Sequence, residues 1–225
     1  MNNTRVLDYW FRYTFDLTHP QKTVTSENQI MDILSKFKTT KYDQIDERYK
    51  SYTKSDQQRY KKLLERQQYY EIGRKDFYRY IVDDFRIEDF LCKDQFYFEA
   101  LKDKSKTYYW LIDKEVLINL LRLQKELERK GCNKNGFTIT NGHRHPRYNE
   151  KVGGAKLSRH IQGEAIDLYI QDIDNSGHYS KKDKAIVLKL LEDIIIKDKG
   201  GIGLYPGTRV VHFDVRGYRA RWNTY

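Results

Sequence analysis

The chain is predicted to be α+β: a small antiparallel sheet with flanking helices, preceded by a mostly helical N-terminal region. Composition changes near residue 84, since residues 1–83 are rich in Tyr, Lys, Gln and Asp and hold a single glycine, Gly73, and a single proline, Pro20. After that point, patterns of helical period and of strand alternation are intermingled. Short connections between them suit antiparallel neighbours carrying helices on one sheet. The expected division is therefore residues 1–83 as a helical accessory region and 84–225 as the domain that bears the chemistry.

In the first region, Ser26–Phe37 and Ser55–Tyr80 read as amphipathic helices. Ile30, Ile33 and Leu34 share a face of the first, and Tyr60, Leu63, Leu64 and Gln67 a face of the second. Further on, Asp113 is placed to cap a helix to Lys130, with Val116, Leu120, Leu123 and Leu127 as its buried stripe and Gly131 as its stop. Phe137–Thr140 alternates like a half-buried strand. Ser180 and Asp183 form a capping box that opens a helix to about Lys197. Gly201–Leu204 and Arg209–Val215 read as strands around a turn at Tyr205-Pro206-Gly207.

With 225 residues, 39% of them hydrophobic and 14% aromatic, the chain can bury a real core, much of it from nineteen tyrosines. Cys92 and Cys132 lack CxxC partners, which argues against a thiolate metal site or a disulfide scaffold. The net charge of +10 suggests an anionic partner. Yet residues 1–83 carry 16 basic and 12 acidic side chains, and the remainder 26 and 20. Such a diffuse excess does not mark a dedicated nucleic-acid surface. The first twenty residues place Asp8, Arg12 and Asp16 where a secretory signal needs an apolar run, and no stretch approaches the length of a membrane span.

The chemistry concentrates in Ser158-Arg159-His160-Ile161-Gln162-Gly163-Glu164-Ala165-Ile166-Asp167 and in Val211-His212-Phe213-Asp214. Gly163 permits a sharp turn after His160. Ala165-Ile166-Asp167-Leu168-Tyr169 then reads as a strand with Ala165, Asp167 and Tyr169 on one face. His212 and Asp214 share a face of another strand, with Val211 and Phe213 turned to the core. Three protein ligands and an open position are the arrangement of a catalytic zinc. A buried aspartate is costly unless paired or metal-bound, which makes Asp167 more telling than either histidine. The spacing alone leaves metal binding and ordinary structural roles both open. His19 and His178 read as surface or structural histidines.

Asn141-Gly142-His143-Arg144-His145-Pro146-Arg147-Tyr148-Asn149, Val152-Gly153-Gly154-Ala155, and Ser158 to Asp167 occur in that order, followed by Gly203-Leu204-Tyr205-Pro206 and Val211-His212-Phe213-Asp214, with Arg219 and Trp222 beyond. Over about residues 84–225 this series resembles the zinc D-alanyl-D-alanine carboxypeptidase and murein endopeptidase family. The C-terminal segment looks like its YcbK-like branch. The resemblance implies a zinc peptidase domain with His160, Asp167 and His212 as Zn2+ ligands and Arg144 as the anchor of a substrate carboxylate or polarised carbonyl. It implies hydrolysis of peptidoglycan peptides next to a D-amino acid, at the cell wall and by an export route the sequence does not reveal. A wall-binding module that keeps the fold without activity is the alternative.

Several related carboxypeptidases carry an acid three positions before the last histidine, where this chain has Arg209. That leaves Asp214 as general base or as the group that orients His212, with the base favoured. His143 and His145, which depart from the family pattern, are expected on the surface or in the substrate groove. Gly153-Gly154 is expected to allow close backbone approach.

Overall fold

The computed structural model describes residues 3–224. In chain order the elements begin with α1 (Asn3–Thr18), α2 (Glu27–Ser35), β1 (Thr39–Lys41), α3 (Lys54–Leu64), β2 (Gln68–Ile72), α4 (Arg74–Phe77), β3 (Tyr80–Val82) and β4 (Phe85–Arg86). They continue with α5 (Gln95–Lys102), β5 (Tyr108–Trp110), α6 (Lys114–Arg129), β6 (Phe137–Asn141), α7 (Pro146–Lys151) and β7 (Ala165–Ile170). The last are α8 (Lys181–Leu190), β8 (Gly201–Gly203), β9 (Val210–Asp214) and β10 (Ala220–Trp222). The mixed α+β class is as expected. No helix among the described residues is long and apolar enough to cross a membrane.

Two compact units are formed, one from residues 1–111 with 145–154 and the other from 112–144 with 155–225. The units thus divide at residues 111–112, later than the compositional change at residue 84.

In the first unit β1, β2 and β5 form an antiparallel sheet in the order β1-β2-β5. The helix expected over Ser55–Tyr80 is therefore only half correct. It stops at Leu64, and Gln68–Ile72 is a strand. Tyr69 and Ile72 are buried while Gln68, Tyr70 and Glu71 are not, so pairing with the aromatic β5 overrides helical periodicity. Tyrosine does supply the core, with Tyr42, Tyr60, Tyr69, Tyr78, Tyr97 and Tyr108 all almost fully buried. Phe77 stacks on Tyr97 at 5.0 Å and meets Tyr108 edge-on at 5.9 Å, both favourable aromatic geometries.

The second unit holds a five-stranded sheet in the order β10-β8-β9-β7-β6, antiparallel except that β10 joins β8 in parallel. Ile166, Leu168 and Ile170 of β7 and Val211 and Phe213 of β9 are fully buried on one face. Asp113 caps α6 by accepting from the Glu115 N–H at 2.9 Å, and Gly131 ends the helix at a φ of +71°. Val116, Leu120, Leu123 and Leu127 form its fully buried stripe. The Ser180–Asp183 capping box opens α8, which passes into a π-helical turn over Leu191–Ile195.

Candidate metal centre

One row of residues crosses one face of the sheet. Strand register sets Trp222, Gly203, His212, Asp167 and Asn141 side by side on β10, β8, β9, β7 and β6. Regular pairing would have put Thr140 opposite Asp167. The register of β6 shifts between Ile139 and Asn141, and this bulge re-aims Asn141 at the carboxylate. Gly203 keeps the row in place, because a Cβ there would lie 3.0 Å from both His212 Cβ and Trp222 Nε1.

His160 comes from the tight turn before β7. Its carbonyl accepts from the Arg144 N–H at 3.0 Å and from the Gly163 N–H at 3.3 Å, and Gly163 adopts a φ of +68°. That left-handed conformation suits glycine, and it lets the chain double back so that His160 faces Asp167.

His160, Asp167 and His212 are all buried, and their ligand atoms lie within 4.8 Å of one another. Asp167 Oδ2 is 3.4 Å from His160 Nε2, and Asp167 Oδ1 is 2.8 Å from His212 Nδ1. The remaining ring nitrogens are engaged on the far side. His160 Nδ1–H donates to the Gly142 carbonyl at 2.8 Å, leaving Nε2 to face Asp167. His212 Nε2–H donates to Asp214 Oδ2 at 3.1 Å. Outer partners of this kind fix the ring orientation of metal-binding histidines.

Electrostatics follow this geometry. Burial pushes the His160 imidazole below its ordinary value, against the attraction of Asp167. Burial also works against charge on His212, but the hydrogen bonds to Asp167 and Asp214 outweigh it and raise that ring. For Asp167, burial is overcome by the attraction and hydrogen bonding of His160 and then His212, which holds the carboxyl well below the usual range. Asp214 is held low in the same way, by His212 and Arg216 against burial.

The donor set fits a tetrahedral zinc. Ligand atoms about 2.0–2.2 Å from such an ion lie roughly 3.3–3.6 Å apart; here the His160–Asp167 pair is at 3.4 Å, the Asp167–His212 pair at 2.8 Å, and all three ligand atoms lie within 4.8 Å. A buried carboxylate between two imidazoles also satisfies the charge preference of a divalent cation. Arg144 lies beside the group, with Nη2 at 3.5 Å from Asp167 Oδ2 and its side chain only 17% exposed. Its buried Nε has no partner among the described residues, so the guanidinium retains donors for an incoming acceptor.

The family model for Peptidase M15 matches residues 102–214, a span that contains this whole cluster. The chain belongs to the Peptidase M15 family. No curated protein and no solved structure matches it. Membership of Peptidase M15 makes the chain a member of a metallopeptidase family, and its buried His-Asp-His group agrees with metal dependence.

Within this M15 chain, His160, Asp167, His212, Asp214 and Arg144 are brought together as the sequence suggested. Other expectations need correction. His143 and His145 are fully buried, not on the surface or in a groove. His145 belongs to the aromatic core of the first unit. Its Nε2–H donates to the Tyr109 carbonyl at 2.7 Å, its Nδ1 lies 3.2 Å from Asp94 Oδ2, and the Tyr49 ring is edge-on at 4.4 Å. Exposed Arg209 lies over the Tyr179 ring at 4.2 Å. Asp214 is fully buried, and its oxygens accept from His212, Arg216 and the Gly201 N–H. It meets His212 at Nε2, the ring nitrogen other than the one that faces Asp167.

Arg216 was missed by the sequence reading. Its signal is the spacing Asp214-Val215-Arg216, which puts a guanidinium two residues beyond a buried carboxylate. A second acidic group, Asp172, Asp174 and Asp183, has a structural explanation. Asp183 Oδ1 accepts from the Ile173 and Asp174 N–H groups at 2.8 and 3.0 Å, Oδ2 accepts from Ser180, and Asp174 pairs with Lys182. These bonds tie the loop after β7 to the start of α8.

Proposed function

We propose that this M15 chain is a zinc-dependent peptidoglycan peptidase that cuts a peptide bond next to a D-amino acid in the stem or cross-link peptide. The observation that carries the reading is the Asp167 carboxylate, buried between His160 Nε2 and His212 Nδ1, with each histidine held from behind by a separate acceptor. Zinc bound there supplies Lewis acidity toward a carbonyl and toward water. Arg144 contributes a planar fork of donors that anchors a substrate carboxylate or carbonyl oxygen beside the ligands. Gly142 and Asp214 orient the two imidazoles, and Asn141 steadies Asp167. Asp214 is thus assigned to positioning His212, because its oxygens are engaged by Arg216, the Gly201 N–H and His212 Nε2. The C-terminal Val211–Asp214 segment with Trp222 favours the YcbK-like branch.

The test combines metal analysis with product analysis on defined muropeptides. Purified protein is expected to carry about one zinc per chain, to lose activity in chelator and to recover it on adding Zn2+. Mass spectrometry of the products then names the bond. Undiminished activity in zinc-free protein defeats the proposal. A wild-type protein that binds zinc but cleaves no muropeptide supports the inactive wall-binding module instead.

A further inference from the structure

We infer that Arg216 is a positioning residue that decides which ring nitrogen His212 presents to the metal. The inference rests on the zinc reading above and concerns a residue outside the ligand set.

Asp214 has two oxygens and one imidazole to orient. Arg216 approaches it with a bidentate fork, Nε to Oδ1 at 2.8 Å and Nη2 to Oδ2 at 2.6 Å, and the Arg216 backbone N–H adds a bond to Oδ1 at 3.2 Å. The Gly201 N–H donates to Oδ1 at 3.0 Å. These donors fix the plane of the carboxylate and leave Oδ2 aimed at His212 Nε2–H. With Nε2 committed as a donor, Nδ1 is the nitrogen turned to Asp167 and His160.

The surroundings are shaped for this contact. A Cβ on Gly201 would lie 2.3 Å from Asp214 Oδ2 and 2.9 Å from Arg216 Nε, so the residue beneath the pair has no room for a side chain. The guanidinium lies over the Trp222 ring at 5.0 Å, and Trp222 in turn packs 5.1 Å from the His212 ring. Arg216 therefore meets both groups that brace His212, the carboxylate at its edge and the indole beside it. Fork-shaped donation makes arginine distinct from lysine here, because an ammonium neutralises the charge without setting the plane.

The experiment measures Zn2+ affinity by competition with a chromophoric chelator, and the visible spectrum of the Co2+-loaded full-length chain. Arg216→Gln is expected to bind Zn2+ about 10–100-fold more weakly, as for other outer partners of metal ligands, with an altered cobalt spectrum. Arg216→Lys is expected to recover part of the loss. Arg159→Gln, which removes a nearby guanidinium that pairs with Glu164 and not with Asp214, is the control and should bind like wild type. Wild-type zinc affinity and an unchanged cobalt spectrum in Arg216→Gln overturn the inference. Should that variant not fold, Arg216→Lys decides alone: a several-fold loss with a shifted spectrum supports it, and wild-type values overturn it. A wild-type chain that binds no zinc at His160, Asp167 and His212 defeats the proposed function itself, a result distinct from either.

Discussion

Asn141 stands opposite Asp167 on the neighbouring strand, and its amide Nδ2 donates to Asp167 Oδ2 at 3.0 Å. The same oxygen faces His160 Nε2. The amide thus limits how far the carboxylate can turn. Asn141→Ala is expected to weaken zinc binding about 10-fold while preserving the fold, as read by chelator competition and circular dichroism. Asn141→Asp sets a like charge against Asp167 and should weaken it further.

Gly203 stands in the row between Trp222 and His212. Gly203→Ala would add a methyl 2.8 Å from the Tyr205 ring and 3.0 Å from His212 Cβ. Overpacking of this kind costs about 1–3 kcal/mol, and here the strain falls on a proposed ligand. The expected result is a lower Tm together with weaker zinc binding. A variant with wild-type values of both would show that the row tolerates displacement.

Asp183 makes stability depend on acid. Burial works against its charge, but the N–H groups of Asp174, Ser180 and Ile173, with the Ser180 hydroxyl, pull the carboxyl down to about 2. A folded value below the unfolded one means stability that is complete above the unfolded value, near 4, and lost as pH falls toward 2. The difference corresponds to about 2 kcal/mol at neutral pH. Urea titrations across pH 7 to 2.5 should therefore show Asp183→Asn clearly less stable than wild type at pH 7, with the gap closing below about pH 4. A gap independent of pH would argue against the charged lock.

His145 Nδ1 and Asp94 Oδ2 are hydrogen-bonded at 3.2 Å inside an aromatic shell. Removing the imidazole takes a partner from both the Asp94 carboxyl and the Tyr109 carbonyl, at a cost of about 1–3 kcal/mol. His145→Ala should lower the urea midpoint strongly when followed by tryptophan fluorescence. A shift within error would show that solvent reaches Asp94.

Much of the second unit was legible because its signals are local. The Asp113 cap, the stripe Val116, Leu120, Leu123 and Leu127, the capping box at Ser180 and the alternation of β7 and β9 each follow from residues a few positions apart. The first unit was harder to anticipate. Gln68–Ile72 lies next to a helix and carries aromatic residues that satisfy either period, and only pairing with β1 and β5 makes it a strand. His145 sits next to Arg144 in sequence, yet the chain passes from one compact unit to the other between them. Motif position therefore suggested a groove for a residue that packs in a core.

The sequence by itself determined the ligand candidates His160, Asp167 and His212, the turn at Gly163 and the strand faces, since glycine freedom and a period of two act over neighbouring residues. Tertiary structure decided what each group next to them does. The bulge in β6 placed Asn141 on Asp167, and the register of β8 with β9 put Gly201 beneath Asp214. With Arg216 beside it, that contact set the hydrogen bonds in which Asp214 meets His212. Hydrogen-bond direction and burial depend on which strands become neighbours, and that is settled only when the sheet closes over its core.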